Sequence, residues 1–207
     1  MAGVQLGYSQ VVPDTNLLQL FLPIFLAGAA TAIAQPIVVE AEKFIRQEKA
    51  SVRRWEIQGG LNASGGSYVQ AVPDTRKTAQ DKLNKGENFS DQAGEMAVLS
   101  YRVRFPSPGR YYVWVRAYST GAEDNSIHVG LNGEWPETGR RMQWCEGKNA
   151  WTWASKQRTV TQHCGEPGKI WLDVSSAGEH TVGFSMREDG FRFDQFLLTT
   201  DPGNPFL

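Results

Sequence analysis

The chain has 207 residues, with 21 Lys+Arg against 22 Asp+Glu for a formal net charge of -1, together with 21 Gly, 10 Pro and 7 Trp. That balance disfavours a protein that wraps nucleic acid, which needs a basic face to displace counterions. An ordinary hydrophobic fraction excludes disorder, collagen and a multi-span membrane protein, and many turn formers with many aromatics point to one β-rich domain.

Residues 1–36 differ from the rest. No Lys, Arg or Glu precedes Glu40, and the uncharged run Leu17–Ala34 ends in Ala32-Ile33-Ala34-Gln35. An apolar core followed by small residues reads as an export signal cleaved after Ala34, although Met1–Asn16 lacks the usual positive charge and carries Asp14. Two other readings keep the segment in place. It is a membrane anchor, or, because Val4, Leu6 and Tyr8 alternate, it docks as an added strand in a neighbouring copy. A secreted or cell-surface protein is common to all three.

From Ile37 the period is two. Ile37–Glu42 reads as a strand with Glu40 and Glu42 on one face. Arg76–Glu87 mixes charges without period and reads as a solvated loop. Ala97–Phe105 and Tyr111–Tyr118 alternate on either side of Pro108-Gly109, with Tyr111, Val113, Val115 and Ala117 on one face. Ser126–Leu131 runs into the hairpin signal Asn132-Gly133. Further strands are expected at Trp151–Arg158, Lys169–Val174, Glu179–Arg187 and Phe191–Thr200, separated by Pro167-Gly168, Ala177-Gly178 and Asp189-Gly190. About eight or nine short strands predict an all-β antiparallel sandwich of the jelly-roll type over 37–200, with a tail at 201–207.

Cys145 and Cys164 are either one disulfide closing a loop or two buried thiols; with only His163 beside them, a zinc site lacks ligands. His180 alternates with Val182 and Phe184 and is expected in the core. None of the common hydrolase, metalloprotease, P-loop or dinucleotide motifs is present, and Glu188-Asp189 beside Gly190 reads as a turn before it reads as an acid pair.

Two features carry chemistry. Asp194 interrupts an apolar stretch, and a buried carboxylate there requires a partner. In a jelly roll the first and last strands commonly pair, which sets Asp194 near Glu40 and Glu42, a hard-oxygen set suited to calcium. The alternative is a bridge from Asp194 to Arg192 or Arg187. The second feature is Asn149-Ala150-Trp151-Thr152-Trp153, which puts both tryptophans on one strand face, at least one of them expected to be exposed. A flat indole flanked by amides suits the C–H face and hydroxyl rim of a sugar. Trp114 and Trp171, inside regular alternation, are expected between the sheets.

The ordered set Val39-Glu40-Ala41-Glu42, Gly65–Val69, Tyr101-Arg102-Val103, Gly109-Arg110-Tyr111, Val115-Arg116-Ala117, Asn132-Gly133, Trp151–Trp153, Gly178–Val182 and Phe193–Leu197 resembles carbohydrate-binding modules of families 6 and 35, with their galactose-binding-domain-like jelly roll. The resemblance implies a non-catalytic glycan binder, a structural calcium at Glu40, Glu42 and Asp194, and an aromatic platform at Trp151. Trp153, Asn149, Tyr118 and Arg192 are the candidate neighbours. Arg192 stands where those modules often have an amide, which would suit an acidic sugar. The alternative role is a subunit of a surface layer or filament, assembled through residues 1–36.

Overall fold

The computed structural model describes residues 35–203, 205 and 206. The readings of the N-terminal segment fall on residues 1–34, outside the described residues. The rest is an antiparallel sandwich. Its strands are β1 (Ile37–Glu40), β2 (Arg46–Glu48), β3 (Arg54–Gly59), β4 (Ser67–Val72), β5 (Val98–Phe105), β6 (Gly109–Tyr118) and β7 (Ser126–Leu131). They continue with β8 (Met142–Gln143), β9 (Trp151–Ala154), β10 (Lys156–Gln157), β11 (Glu166–Pro167), β12 (Trp171–Val174), β13 (Gly178–Met186) and β14 (Arg192–Thr199).

One sheet runs β12-β6-β14-β4-β3, with β1 also beside β14 and β9 also beside β6; the other runs β11-β10-β8-β7-β13-β5-β2. First and last strands do pair, Ile37 opposite Leu198 through Glu40 opposite Gln195. β2, β3, β4, β8 and β11 were not anticipated. β3 carries a legible signal in Trp55 and Ile57 and β4 in Val69 and Ala71, but the others are two or three residues long, too short for a period to show. The segment expected as one strand from Trp151 is two, because the chain passes from the first sheet to the second between β9 and β10, at the buried Ser155. Asn132 and Gly133, at φ of 53° and 84°, make a tight turn closed by mutual backbone hydrogen bonds between Leu131 and Glu134.

The core lies where the inner faces meet. Tyr111, Val113, Val115 and Ala117 of β6 point inward as the alternation requires, beside Phe193, Phe196 and Leu198 of β14, against Leu99, Tyr101, Val182 and Phe184 of the other sheet. Tyr101 contacts Phe184 and Phe196 edge-on at centroid distances of 5.8 and 4.9 Å, and its hydroxyl donates to the Ala41 carbonyl at 2.7 Å. Each buried aromatic of this kind contributes about 2–3 kcal/mol of apolar transfer.

Three burial expectations are corrected. Trp114 and Trp171 lie on the outer face, half-buried, because β6 commits its odd-numbered residues inward and Trp171 pairs with outward Tyr112. The buried tryptophans are Trp55 and Trp144. His180 is not in the core either: it sits near the start of β13, bonded to the Asn132 side chain at 2.9 Å and the Ser176 carbonyl at 2.9 Å. The buried histidine is His128, on β7.

Candidate functional site

Residues directly opposite one another in an antiparallel ladder share a face. On the outer face of the first sheet, that register lays out two rows. One runs Trp151–Tyr118–Arg192–Gln70–Glu56 across β9, β6, β14, β4 and β3; the next runs Trp153–Arg116–Gln195–Glu40 across β9, β6, β14 and β1. Both tryptophans thus share a face, as the alternation predicts. Neither is fully exposed, contrary to expectation. Trp151 meets Tyr68 and Tyr118 edge-on at 5.4 Å each, the Arg116 guanidinium lies 5.3 Å from its ring, and its Nε1–H donates to the Leu61 carbonyl at 2.7 Å. Trp153 stacks on Phe206 at 4.4 Å. Asn149 is exposed in the turn leading into β9, at φ of 57°, and its N–H donates to the Ser119 carbonyl at 2.8 Å.

Between the rows, β14 carries an irregularity. Phe193 pairs with Ala117 and Gln195 with Arg116, so Asp194 is an extra residue with no partner on β6. The bulge lets the apolar Phe193 and Phe196 both face inward while Asp194, fully buried, is turned toward its neighbours. Its carboxylate accepts the Ser64 N–H at 3.1 Å and pairs with Arg116. The partner is neither Arg192 nor Arg187. Burial pushes the carboxyl above its ordinary range even against the lowering effects of Ser64 and Arg116.

Glu40 accepts hydrogen bonds from Ser64 Oγ at 3.2 Å and Gln195 Nε2 at 2.7 Å. Glu42 is not on the strand: β1 stops at Glu40, and Glu42 lies in a 3-10 turn, Ala41–Lys43, which buries Ala41. Its Oε1 is 3.6 Å from Lys43 Nζ. Glu40 Oε2, Glu42 Oε2 and Asp194 Oδ1 are all buried and accept no hydrogen bond among the described residues. Three hard oxygens left without a donor suit calcium by chemistry. Among the described residues, however, no three acidic, histidine or cysteine side chains are grouped closely enough to form a metal cage, so Glu40, Glu42 and Asp194 would have to draw together, with backbone carbonyls added, to hold one ion.

Other candidates are engaged elsewhere. Arg192 Nη1 donates to Asp124 at 3.3 Å, and its Nη2 lies 3.9 Å from Asp74, which leaves this guanidinium balanced between carboxylates. Glu188 accepts the Asn125 N–H and the Ser126 hydroxyl, and Asp189 accepts Arg53, the Thr75 N–H and the Thr75 hydroxyl. Both serve to hold loops together. Cys145 and Cys164 are joined as a disulfide, with Cα atoms 5.4 Å apart.

Residues 34–204 match the family described as the glycosyl hydrolase family 115 C-terminal domain. The chain belongs to that family. An uncharacterized protein, P23, of Formosa agariphila is 54% identical over 180 aligned residues, with 80% of this chain and 44% of that protein covered; the chain therefore spans less than half the length of the curated relative it matches. Among solved structures, a family 35 carbohydrate binding module from Clostridium thermocellum is similar with a TM-score of 0.49 at 15% identity, covering 80% of this chain and 98% of that one. The C-terminal family 6 module of a marine laminarinase from Zobellia galactanivorans is similar with a TM-score of 0.44 at 18% identity, covering 80% of this chain and all of that one. Modules of both kinds that the ordered sequence segments resemble are thus among the similar structures.

Proposed function

We propose that this glycosyl hydrolase family 115 C-terminal domain is a non-catalytic saccharide-binding module that works on the outer face of its first sheet. The observation that carries the reading is the fixed Trp151. Its indole is held by the hydrogen bond to Leu61 and by two tyrosine edges, so little side-chain entropy remains to be lost when a pyranose C–H face packs on it. Asn149, Tyr118 and Trp153 border it and supply amide, phenol and further aromatic surface for the sugar rim. In this reading Glu40, Glu42 and Asp194 hold a structural calcium, which would satisfy their orphan oxygens and fix the 60–66 loop that carries Leu61 and Ser64. Export belongs to the same reading, and the Cys145–Cys164 disulfide supports it, since such bonds persist in oxidising compartments.

The test is binding of the full chain to an array of neutral polysaccharides and oligosaccharides, first in calcium and then in chelator. Specific binding that is lost in Trp151→Ala with the thermal transition retained supports the stacking site. Unchanged binding in that variant removes Trp151 from it, and indifference to chelator removes the calcium.

A further inference from the structure

A cavity of about 750 Å3, sharing no lining residue with the tryptophan rows, lies among the loops that follow β4, β6, β7, β10 and β13. It is walled by five cationic side chains, Arg76, Lys85, Arg141, Arg158 and Arg187, against two carboxylates, Asp91 and Glu188. The carboxylates are already used. Arg187 lies 3.0 Å from Asp91, and Glu188 Oε1 lies 3.8 Å from Arg187 and 3.9 Å from Arg76. Arg141 is taken by Glu137 outside the cavity lining. Arg158 and Lys85 make no side-chain hydrogen bond or ion pair among the described residues.

Arg158 is nevertheless held in place. Its N–H donates to the Arg141 carbonyl at 2.9 Å, the next residue closes a turn from Thr159 to Gln162, and Cys164 just beyond is tied to Cys145. His163, on the same stapled turn, has its pKa lowered first by Arg158, then by burial and by Arg187, as a positive field requires. Between the cations are the apolar surfaces of Leu83 and the fully exposed Val160, while the buried Phe89 carries the Arg187 guanidinium over its ring at 4.7 Å.

We propose that this cavity binds a polyanionic saccharide segment, with Arg158 and Lys85 taking its sulfate ester or carboxylate groups and Leu83 and Val160 covering sugar carbon. The cationic surplus exceeds what one anionic group neutralises, so successive charges along a chain match it better than a single one. A neutral sugar would cover Arg158 and leave it without a counter-charge, which costs free energy. The tryptophan face offers no such surplus, because Arg116 and Arg192 there are already paired with aspartates. This second site does not rest on the role proposed for Trp151.

The experiment is titration calorimetry of the full chain with three hexasaccharide probes: a sulfated carrageenan, an oligogalacturonate and neutral cellohexaose, at about 50 mM and about 300 mM salt. At least one charged probe is expected to bind, and to weaken about tenfold or more at the higher salt. Arg158→Ala combined with Lys85→Ala is expected to weaken it about tenfold or more as well, with an unchanged thermal transition. Which charged probe binds tells sulfate from carboxylate. Trp151→Ala is expected to leave charged-probe binding intact, so failure here and failure of the stacking site are separable. Should the alanine pair lower the thermal transition, Arg158→Gln with Lys85→Gln gives the deciding comparison. Absence of charged-probe binding at low salt, binding unchanged in the folded double variant, or loss only in Trp151→Ala would each overturn the proposal.

Discussion

Asp194 and Arg116 form an ion pair at the one place where β14 slips a residue against β6, with the aspartate fully buried and the arginine side chain 23% exposed. The same guanidinium lies over Trp151, so the buried Asp194 and the aromatic rows are joined through one side chain. Removing one member of such a pair strands the other. Arg116→Leu is expected to cost about 3–5 kcal/mol in urea unfolding, whereas Arg116→Leu with Asp194→Asn should recover most of that loss, because no buried charge is then left alone. Additive losses in the double variant would show that the pair is not the source of the effect.

The reach of the sequence can be judged from these two residues. Alternation placed Tyr111, Val113, Val115 and Ala117 inward, and so put Arg116 outward among polar neighbours, where nothing marks it as the partner of a buried acid. The requirement that Asp194 have a partner was legible from its apolar surroundings; the identity of that partner depended on a bulge, and neither Phe193 nor Gln195 announces one. β1 beside β14 was legible for a topological reason, while the 3-10 turn that takes Glu42 off the strand was not, since Ala41-Glu42 continues the alternation. The cationic cavity is not legible in the sequence because its arginines come from four loops far apart in the chain, where no local spacing can show convergence.

The Cys145–Cys164 bond closes a loop across 19 residues and holds the turn that presents Arg158 and His163. A loop of that size restricts the unfolded chain by about 3 kcal/mol. Cys145→Ser with Cys164→Ser is expected to lower the thermal midpoint by roughly 6–12 °C and to speed amide exchange over 158–166, with the sheet cores still protected. Uniform loss of protection throughout would mean that the bond supports the whole sandwich and not this turn alone.

His128 gives a pH dependence. Its ring is fully buried, with Nε2 facing the Ser90 carbonyl at 3.1 Å and Nδ1 accepting the Arg141 N–H at 3.0 Å. Burial is the main cause that lowers its pKa from 6.5 to about 3. The unfolded chain therefore takes up this proton as pH falls below 6.5, while the fold refuses it until about 3, so stability is lost on acidification across that window. At pH near 4.5 the loss attributable to His128 is about 2–3 kcal/mol. His128→Gln should flatten that part of the profile; a variant with the same slope between about pH 7 and 4.5 would assign it to other groups.

Trp135 is seated on glycines. Gly130 of β7 and Gly183 of β13 are directly opposite in the ladder, and a Cβ on Gly130 would come within 2.8 Å of the indole, one on Gly183 within 3.2 Å. At Gly94 a Cβ would collide outright with the Trp135 Nε1, and Gly94 also holds a φ of 82°. The indole thus lies in a groove that exists only because three side chains are missing, and it covers that stretch of the second sheet's outer face. Gly130→Ala is the sharper test, since its backbone is not in the left-handed region and the only new feature is the methyl group. It is expected to lift the ring from the sheet, shift tryptophan emission to the red and cost about 1–3 kcal/mol. Combining it with Trp135→Ala should abolish most of the penalty relative to Trp135→Ala alone; a penalty of equal size in that background would place the strain in the contact of the methyl with the Glu134 carbonyl, 2.5 Å away, and not in the ring.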